Sequence, residues 1–159
     1  MNRRIAFPAL RALLAAGVLV TAAGAGPAWA EPRTYTIAPD HFAIGFQIDH
    51  LGYADVIGMF LKGSGSFVYD EATRTLTSGR VVVAADSVFS NHKARDRHVR
   101  DSDFLDAEQH PEIVFEATGF EPGMENGGRL DGRLSGNLTL LGQTHPVPLE
   151  VVLNKAAIY

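Results

Sequence analysis

Six histidines, a run of aspartates and two serines are the residues of this 159-residue chain that could do chemistry. His41, His50, His92, His98, His110 and His145 would suit a metal if two stood four apart on one helix face beside a carboxylate. None do: His92 and His98 are six apart, and no His-Glu-x-x-His run occurs. His50 reads instead as a strand-end histidine at the rim of a sheet. Asp96, Asp101, Asp103 and Asp106 offer oxygen ligands, but lack the spacing and central glycine of a Ca²⁺ loop. Helix caps and solvated charge account for them. Ser87 and Ser90, near His92 and Asp96, hold the parts of an acyl-transfer triad, yet no Gly-x-Ser-x-Gly elbow presents either serine. Triads assemble in space, so a hydrolase or isomerase acting on an apolar substrate stands as the alternative to a binding role. There is no cysteine, which excludes thiolate nucleophiles and thiolate metal sites. No catalytic residue, metal or cofactor is expected.

The polar groups left over are Arg95, just before the stretch Asp96 to Phe115, and His98 and Arg100 inside it. Val99, Phe104 and Leu105 are its large apolar groups before Pro111. Asp103 and Asp106 suit helix caps, with Gln109 at the third position after the second. Pro111 pushes His110 out of helical conformation and restarts extended chain. The stretch therefore predicts a short helical excursion, around residues 94–109, that lowers Phe104 and Leu105 onto a cavity mouth. Arg95, His98 and Arg100 would meet a head group there.

The elements around it read as strands. Phe42, Ile44, Phe46, Ile48 and His50 alternate with small and polar residues, as a half-buried antiparallel strand does. Val56–Leu61, Ser66–Tyr69, Leu76–Val83, Glu112–Phe120, Leu130–Leu141 and Pro146–Leu153 follow. Asp70–Thr73, the breaker-rich Glu121–Gly128 and Gly142–His145 are the expected turns. Gly63-Ser64-Gly65 is the expected bulge. Ile113, Phe115 and Ala117 share one face; so do Leu134, Leu138 and Leu140. Strand, turn and strand at even spacing favour a meandering barrel over a βαβ fold. A small barrel either fills itself or holds one ligand. Glycines at 45, 58, 63, 65, 132 and 136 are expected to leave the interior open.

The first thirty residues stand apart. Arg3-Arg4, an apolar run to Ala25 and Ala28-Trp29-Ala30 form a secretory signal peptide, with cleavage expected before Glu31. Its loss removes three arginines, leaving 11 basic against 18 acidic groups, a net charge of −7. That balance argues against nucleic acid or anionic membrane as the main partner. No integral span is expected once the signal is gone.

Several segments, taken in order, resemble the YceI-like family of periplasmic polyisoprenoid-binding proteins. They are Asp40–His50, Gly58-Met-Phe60, Phe67–Asp70 and Val83–Ser87, then Arg95–Asp106 with His110–Phe115, and Gly136–Val147. The resemblance covers residues 34–153. It implies an all-β, extended lipocalin-like antiparallel β-barrel over residues 31–159. It implies a periplasmic protein, not an enzyme, that binds, transports or stores a long-chain isoprenoid such as a polyprenyl phosphate or isoprenoid quinone. By position, Phe46, Ile48, His50, Phe60, Phe104, Ile113, Phe115, Leu138 and Leu140 would line or close the tunnel, with Arg95 and His98 under the helical cover; Phe89, read as a further large apolar position facing inward, would join them. The family pattern continues past Tyr159 with further strands. On this reading the C-terminal strands are absent here, and barrel closure and any homodimer depend on them.

Overall fold

Wherever apolar residues alternate, the chain is extended. The structure, a computed structural model, describes residues 31–154; the expected signal peptide and the last five residues lie outside them. Nine strands form: β1 (Arg33–Thr36), β2 (Ile44–His50), β3 (Ala54–Phe60), β4 (Gly63–Asp70), β5 (Thr75–Ala84), β6 (Val88–Phe89), β7 (Glu112–Asn126), β8 (Arg129–Leu140) and β9 (Gln143–Leu153). A single α-helix among the described residues, α1 (Lys93–Arg100), follows β6. All pairings are antiparallel. Six strands make one sheet in the order β1-β4-β5-β7-β8-β9, and β2-β3-β6 make a second. Strands β1 and β9 are the two edges of the large sheet. Among the described residues the expected barrel is therefore lipocalin-like in its strands but not closed.

The two sheets share one bent hairpin. Strand β3 runs into β4, and β5 runs through a 3₁₀ turn (Ala85–Ser87) into β6. At the bend Leu61 N–H donates to Ser87 O at 3.1 Å, and Ala84 N–H to Lys62 O at 3.0 Å. The Ser87 hydroxyl accepts from Lys62 N–H at 3.2 Å and donates to Ala84 O at 2.6 Å. These four bonds carry the ladder round the corner.

Turn chemistry sets the register, in two places against expectation. Glu121–Gly128 was expected as a loop, yet β7 continues to Asn126 and only Gly127 and Gly128 turn, at φ +59° and +82°. Two left-handed residues make a tight hairpin whose twist suits the flanking strands. Pro122 is tolerated because β5 pairs with β7 only as far as Ala117. Beyond that β7 has one neighbour, and a missing N–H on the free side costs no ladder bond. Likewise Leu141 and Gly142 alone form the β8–β9 turn, at φ +52° and +69°, so Gln143–His145 belong to β9.

Bulges decide which residues face inward. Pairing runs unbroken through Gly63-Ser64-Gly65, opposite Val83, Val82 and Val81, so the expected bulge is absent there. It falls instead where Val68 pairs with Ser78 but Tyr69 pairs with Leu76, leaving Thr77 over. A second lies where Ala117 pairs with Gly136 but Gly119 with Ser135, leaving Thr118 over. Each extra residue reverses the alternation. Leu76 and Phe120 are thereby carried onto the face that holds Val81, Phe115 and Leu138.

The helical excursion begins earlier than its aspartates suggest. His92 caps α1, its Nδ1 accepting from Arg95 N–H at 3.1 Å. Asp103 and Asp106 make no capping bond; Asp106 turns left-handed at φ +42°, and its carbonyl accepts from His110 N–H at 2.7 Å.

Candidate ligand-binding site

The inner face of the large sheet is apolar over most of its length, with Gln143 and His145 of β9 at one end. Register places Phe67 beside Gly79 and Ala117, Val81 beside Phe115, Phe115 beside Leu138, and Phe120 beside Leu134. Charged residues take the other face, where Arg80 meets Glu116 at 3.6 Å and Arg133 meets Glu150 at 3.5 Å across strands. The inner face encloses a concave pocket of about 270 Å³, with Phe67, Tyr69, Leu76, Val81, Phe115, Phe120, Leu134 and Val151 in its wall. Such a surface, open to water, favours an apolar guest. A larger cleft of about 470 Å³ lies between Lys62, Asp86, Ala107 and Glu112. Its mixed polar lining gives no apolar wall.

The glycines act differently from expectation. A Cβ on Gly136 would lie 2.2 Å from Phe115 Cζ, and one on Gly132 would lie 2.3 Å from Phe120 Cε2. On Gly58 it would meet Phe46 Cζ at 2.3 Å, and on Gly63 it would meet Phe42 Cε1 at 2.0 Å. These four glycines do not empty the interior; each seats an aromatic ring flat on the backbone, which shapes the wall. Of the six, Gly45 has open space above it, its nearest neighbour being Gly58 O at 4.0 Å.

Of the twelve residues singled out in the sequence, Phe115 lines this pocket. Ile113, Leu138 and Leu140 stand on the same face of β7 and β8. Phe46 and Phe60 meet each other in the second sheet at 5.7 Å between ring centres. Ile48, on the same side of that hairpin, is 57% exposed, and His50 pairs with Ala54 at its end. Phe89 is exposed on β6.

The polar pair of the expected mouth has other partners. Arg95 Nε donates to Ser90 Oγ at 2.7 Å, and its guanidinium reaches Ser90 O at 2.6 Å. Asp96, buried, accepts from Ser90 N–H at 2.8 Å and from the Ser90 hydroxyl. The Ser90 hydroxyl bond first, then the Ser90 amide and the nearby Arg100 and Arg95, holds the Asp96 carboxyl below its usual range against the opposing effect of burial. Arg95 thus pins the start of α1. His98 stacks edge-on against Phe104 at 4.9 Å and lies 3.5 Å from Asp103. Phe104 is half exposed, covering His98 and not the pocket. Ser87 and Ser90 are likewise spent on local bonds, Ser87 at the hairpin corner and Ser90 at the helix.

Sequence reasoning missed Phe67, Tyr69, Leu76, Phe120 and Leu134 as pocket residues. Leu76 and Phe120 needed the two bulges. Their trace is a reversal of alternation, visible only as Ala117 and Phe120 standing three apart around Thr118-Gly119.

Comparison with known proteins gives a consistent answer. A family model described as YceI-like domain matches residues 35–158. A UPF0312 protein of Azotobacter vinelandii is 38% identical over 124 residues, 78% of this chain and 62% of that protein. A UPF0312 protein of Pectobacterium carotovorum is 34% identical over 143 residues, 90% of this chain and 72% of the relative. Among solved structures, a Campylobacter jejuni YCEI protein that crystallizes with large solvent channels aligns at a TM-score of 0.55 and 28% identity. It covers 73% of this chain and 66% of that one. Burkholderia cenocepacia BcnA aligns at the same TM-score, 0.55, and 21% identity, over 68% of this chain and 63% of that one, a likeness of fold. The chain therefore spans roughly two thirds of the length of these relatives.

Proposed function

The chain belongs to the YceI-like family, and on that premise we propose that it binds the apolar chain of a long isoprenoid lipid, a polyprenyl phosphate or an isoprenoid quinone. One observation carries this reading: the apolar pocket on the inner face, walled by Phe115, Phe120 and Phe67. At about 270 Å³ it sits just under the ~300–1,000 Å³ of sites that enclose a whole drug-sized ligand. It would take one segment of a long chain, with the remainder lying along Leu138, Ile113 and Val147. Each buried CH₂ contributes about 0.8 kcal/mol, part of which is offset by ordering chain and ligand.

The protein acts by holding its ligand and leaves it chemically unchanged. It works in the periplasm, exported by the signal peptide of residues 1–30, as a carrier or store. A second copy pairing along a free sheet edge would extend the apolar wall.

The test is extraction and native mass spectrometry of the full chain after expression with its leader. An unaltered long-chain isoprenoid should leave with the organic phase, and the stripped protein should take it up again. Protein that neither carries nor takes up such a chain would overturn the reading, and turnover of the recovered lipid would favour an enzyme.

A further inference from the structure

The apolar pocket has a polar neighbour. Tyr69 and Leu153 line it and also line a smaller cavity of about 160 Å³ whose other walls include Glu71, Arg74 and Glu125. This second cavity sits where the β4–β5 and β7–β8 turns meet, away from α1. Tyr69 is the one hydroxyl common to both. Its side chain is 8% exposed, packed edge-on against Phe120 at 6.1 Å. Among the described residues its hydroxyl has no protein hydrogen-bond partner, and since no buried side-chain polar atom there is left unpaired, the oxygen opens to solvent and is free to donate to a ligand.

The other polar groups of the small cavity are already engaged. Glu71 accepts from the Tyr35 hydroxyl, and Arg74 pairs with Glu125. Two carboxylates against one guanidinium leave the lining of this cavity negative, with Arg33 standing outside it beside Tyr69 on β1. A phosphate or carboxylate arriving here would meet like charge, whereas an uncharged oxygen would only need a donor.

We propose that Tyr69 is the head-group residue of this protein, its hydroxyl donating to an uncharged hydroxyl or carbonyl oxygen at the end of a chain lodged in the apolar pocket. The proposal rests on the lipid-binding reading above and narrows it to neutral head groups. Burial pushes the Tyr69 phenol above its ordinary value, so the donor proton stays in place at neutral pH. Arg95 and His98, tied to Ser90 and Phe104, take no part.

The experiment compares binding of farnesol, farnesyl phosphate and the hydrocarbon farnesene to the stripped full chain. Farnesol should bind most tightly. Tyr69→Phe should weaken farnesol about 5-fold, the equivalent of one ordinary hydrogen bond, and leave farnesene unchanged. The double variant Glu71→Gln/Glu125→Gln should strengthen farnesyl phosphate relative to farnesol. The proposal fails if Tyr69→Phe does not touch farnesol, or if the wild type binds farnesyl phosphate as tightly as the alcohol. If farnesene binds while these differences are missing, only the head-group assignment falls. If nothing binds, the lipid-binding reading falls with it.

Discussion

The large sheet and the helical region beside the second sheet solve opposite problems with similar residues. In the large sheet, bulges at Thr77 and Thr118 bring apolar side chains of both parities onto one face, and glycines let rings lie flat there. Around α1 the apolar residues stay out: Phe104 and Phe89 are 51% and 40% exposed. What holds that region is a polar knot of Ser90, Arg95 and Asp96. The first arrangement makes an apolar surface; the second fixes a backbone in place. The difference teaches that charge near a presumed opening is weak evidence for a head-group site. Arg95 looked available in the sequence because its partner, a serine five residues back, carries no signal of its own.

The sharpest way to break this contrast is a charge in each region. Phe115→Asp puts a carboxylate on the apolar wall. Isoprenoid binding should fall by roughly 100-fold or more, since facing a charge onto an apolar guest forfeits about 3 kcal/mol. Ile48→Asp, at a position already more than half exposed, should change stability by no more than about 0.5 kcal/mol and leave binding unchanged. Titration of the stripped variants with an isoprenoid alcohol, together with urea melts, reads both. Equal losses at the two positions would mean that the Phe46–Ile48 face also holds ligand.

The glycines sharpen the same comparison at smaller scale. A methyl on Gly136 meets the Phe115 ring and also Glu116 O, at 2.7 Å, in the backbone. Neither a rotamer change nor an outward swing relieves both. Gly136→Ala should therefore cost about 1–3 kcal/mol, the usual range for overpacking. Gly58→Ala meets only the half-buried ring of Phe46, which can swing toward water, so its cost should be the smaller. Gly45→Ala meets nothing closer than 4.0 Å and should be close to neutral. Urea midpoints of the three variants check the order.

These particulars show what a one-dimensional reading can reach. The period-2 pattern placed Ile113, Phe115 and Ala117 together, and Leu134, Leu138 and Leu140 together, because side-chain alternation is local. It could not see that Thr118 reverses the parity, since a bulge is a property of two paired strands and not of one. The seating of Phe115 on Gly136 is diagonal across β7 and β8, so it too depends on register. Glu121–Gly128 looked like a loop because its residues are breakers. What allows a strand there is that β5 ends opposite Ala117 and frees one side of Pro122. His92 as a cap was hidden by better candidates, Asp103 and Asp106, whose oxygens are the usual choice.

The polar knot gives the next prediction. Asp96→Ala leaves the Ser90 amide without its acceptor, so amide protection across residues 90–100 should drop while β7 and β8 keep theirs. The wild type should show the same selective loss in acid. The Asp96 carboxyl is held below its ordinary 3.8, so its contribution is complete above that value and disappears as pH falls through the lowered one. Asp70 behaves alike: its carboxylate accepts from Thr73 and Ala72 N–H in the β4–β5 turn. Hydrogen exchange at pH 7 and at pH 3 should show both sites loosening at the lower value. A knot that stays protected in Asp96→Ala would mean Arg95 alone holds α1.

The smallest effect belongs to the outer face of the large sheet. Arg133 and Glu150 face each other across β8 and β9 at 3.5 Å, with side chains 55% and 80% exposed. Such a pair trades modest attraction in water against the ordering of two long side chains. A double-mutant cycle with Arg133→Ala and Glu150→Ala should give a coupling of about 0–1 kcal/mol that fades in added salt. Ligand binding should not move, because these residues lie on the face away from Phe115. A change in isoprenoid affinity in either single variant would mean that β9 shifts with its outer charges, and that the inner wall at Val151 is less fixed than its pairing with Gly132 implies.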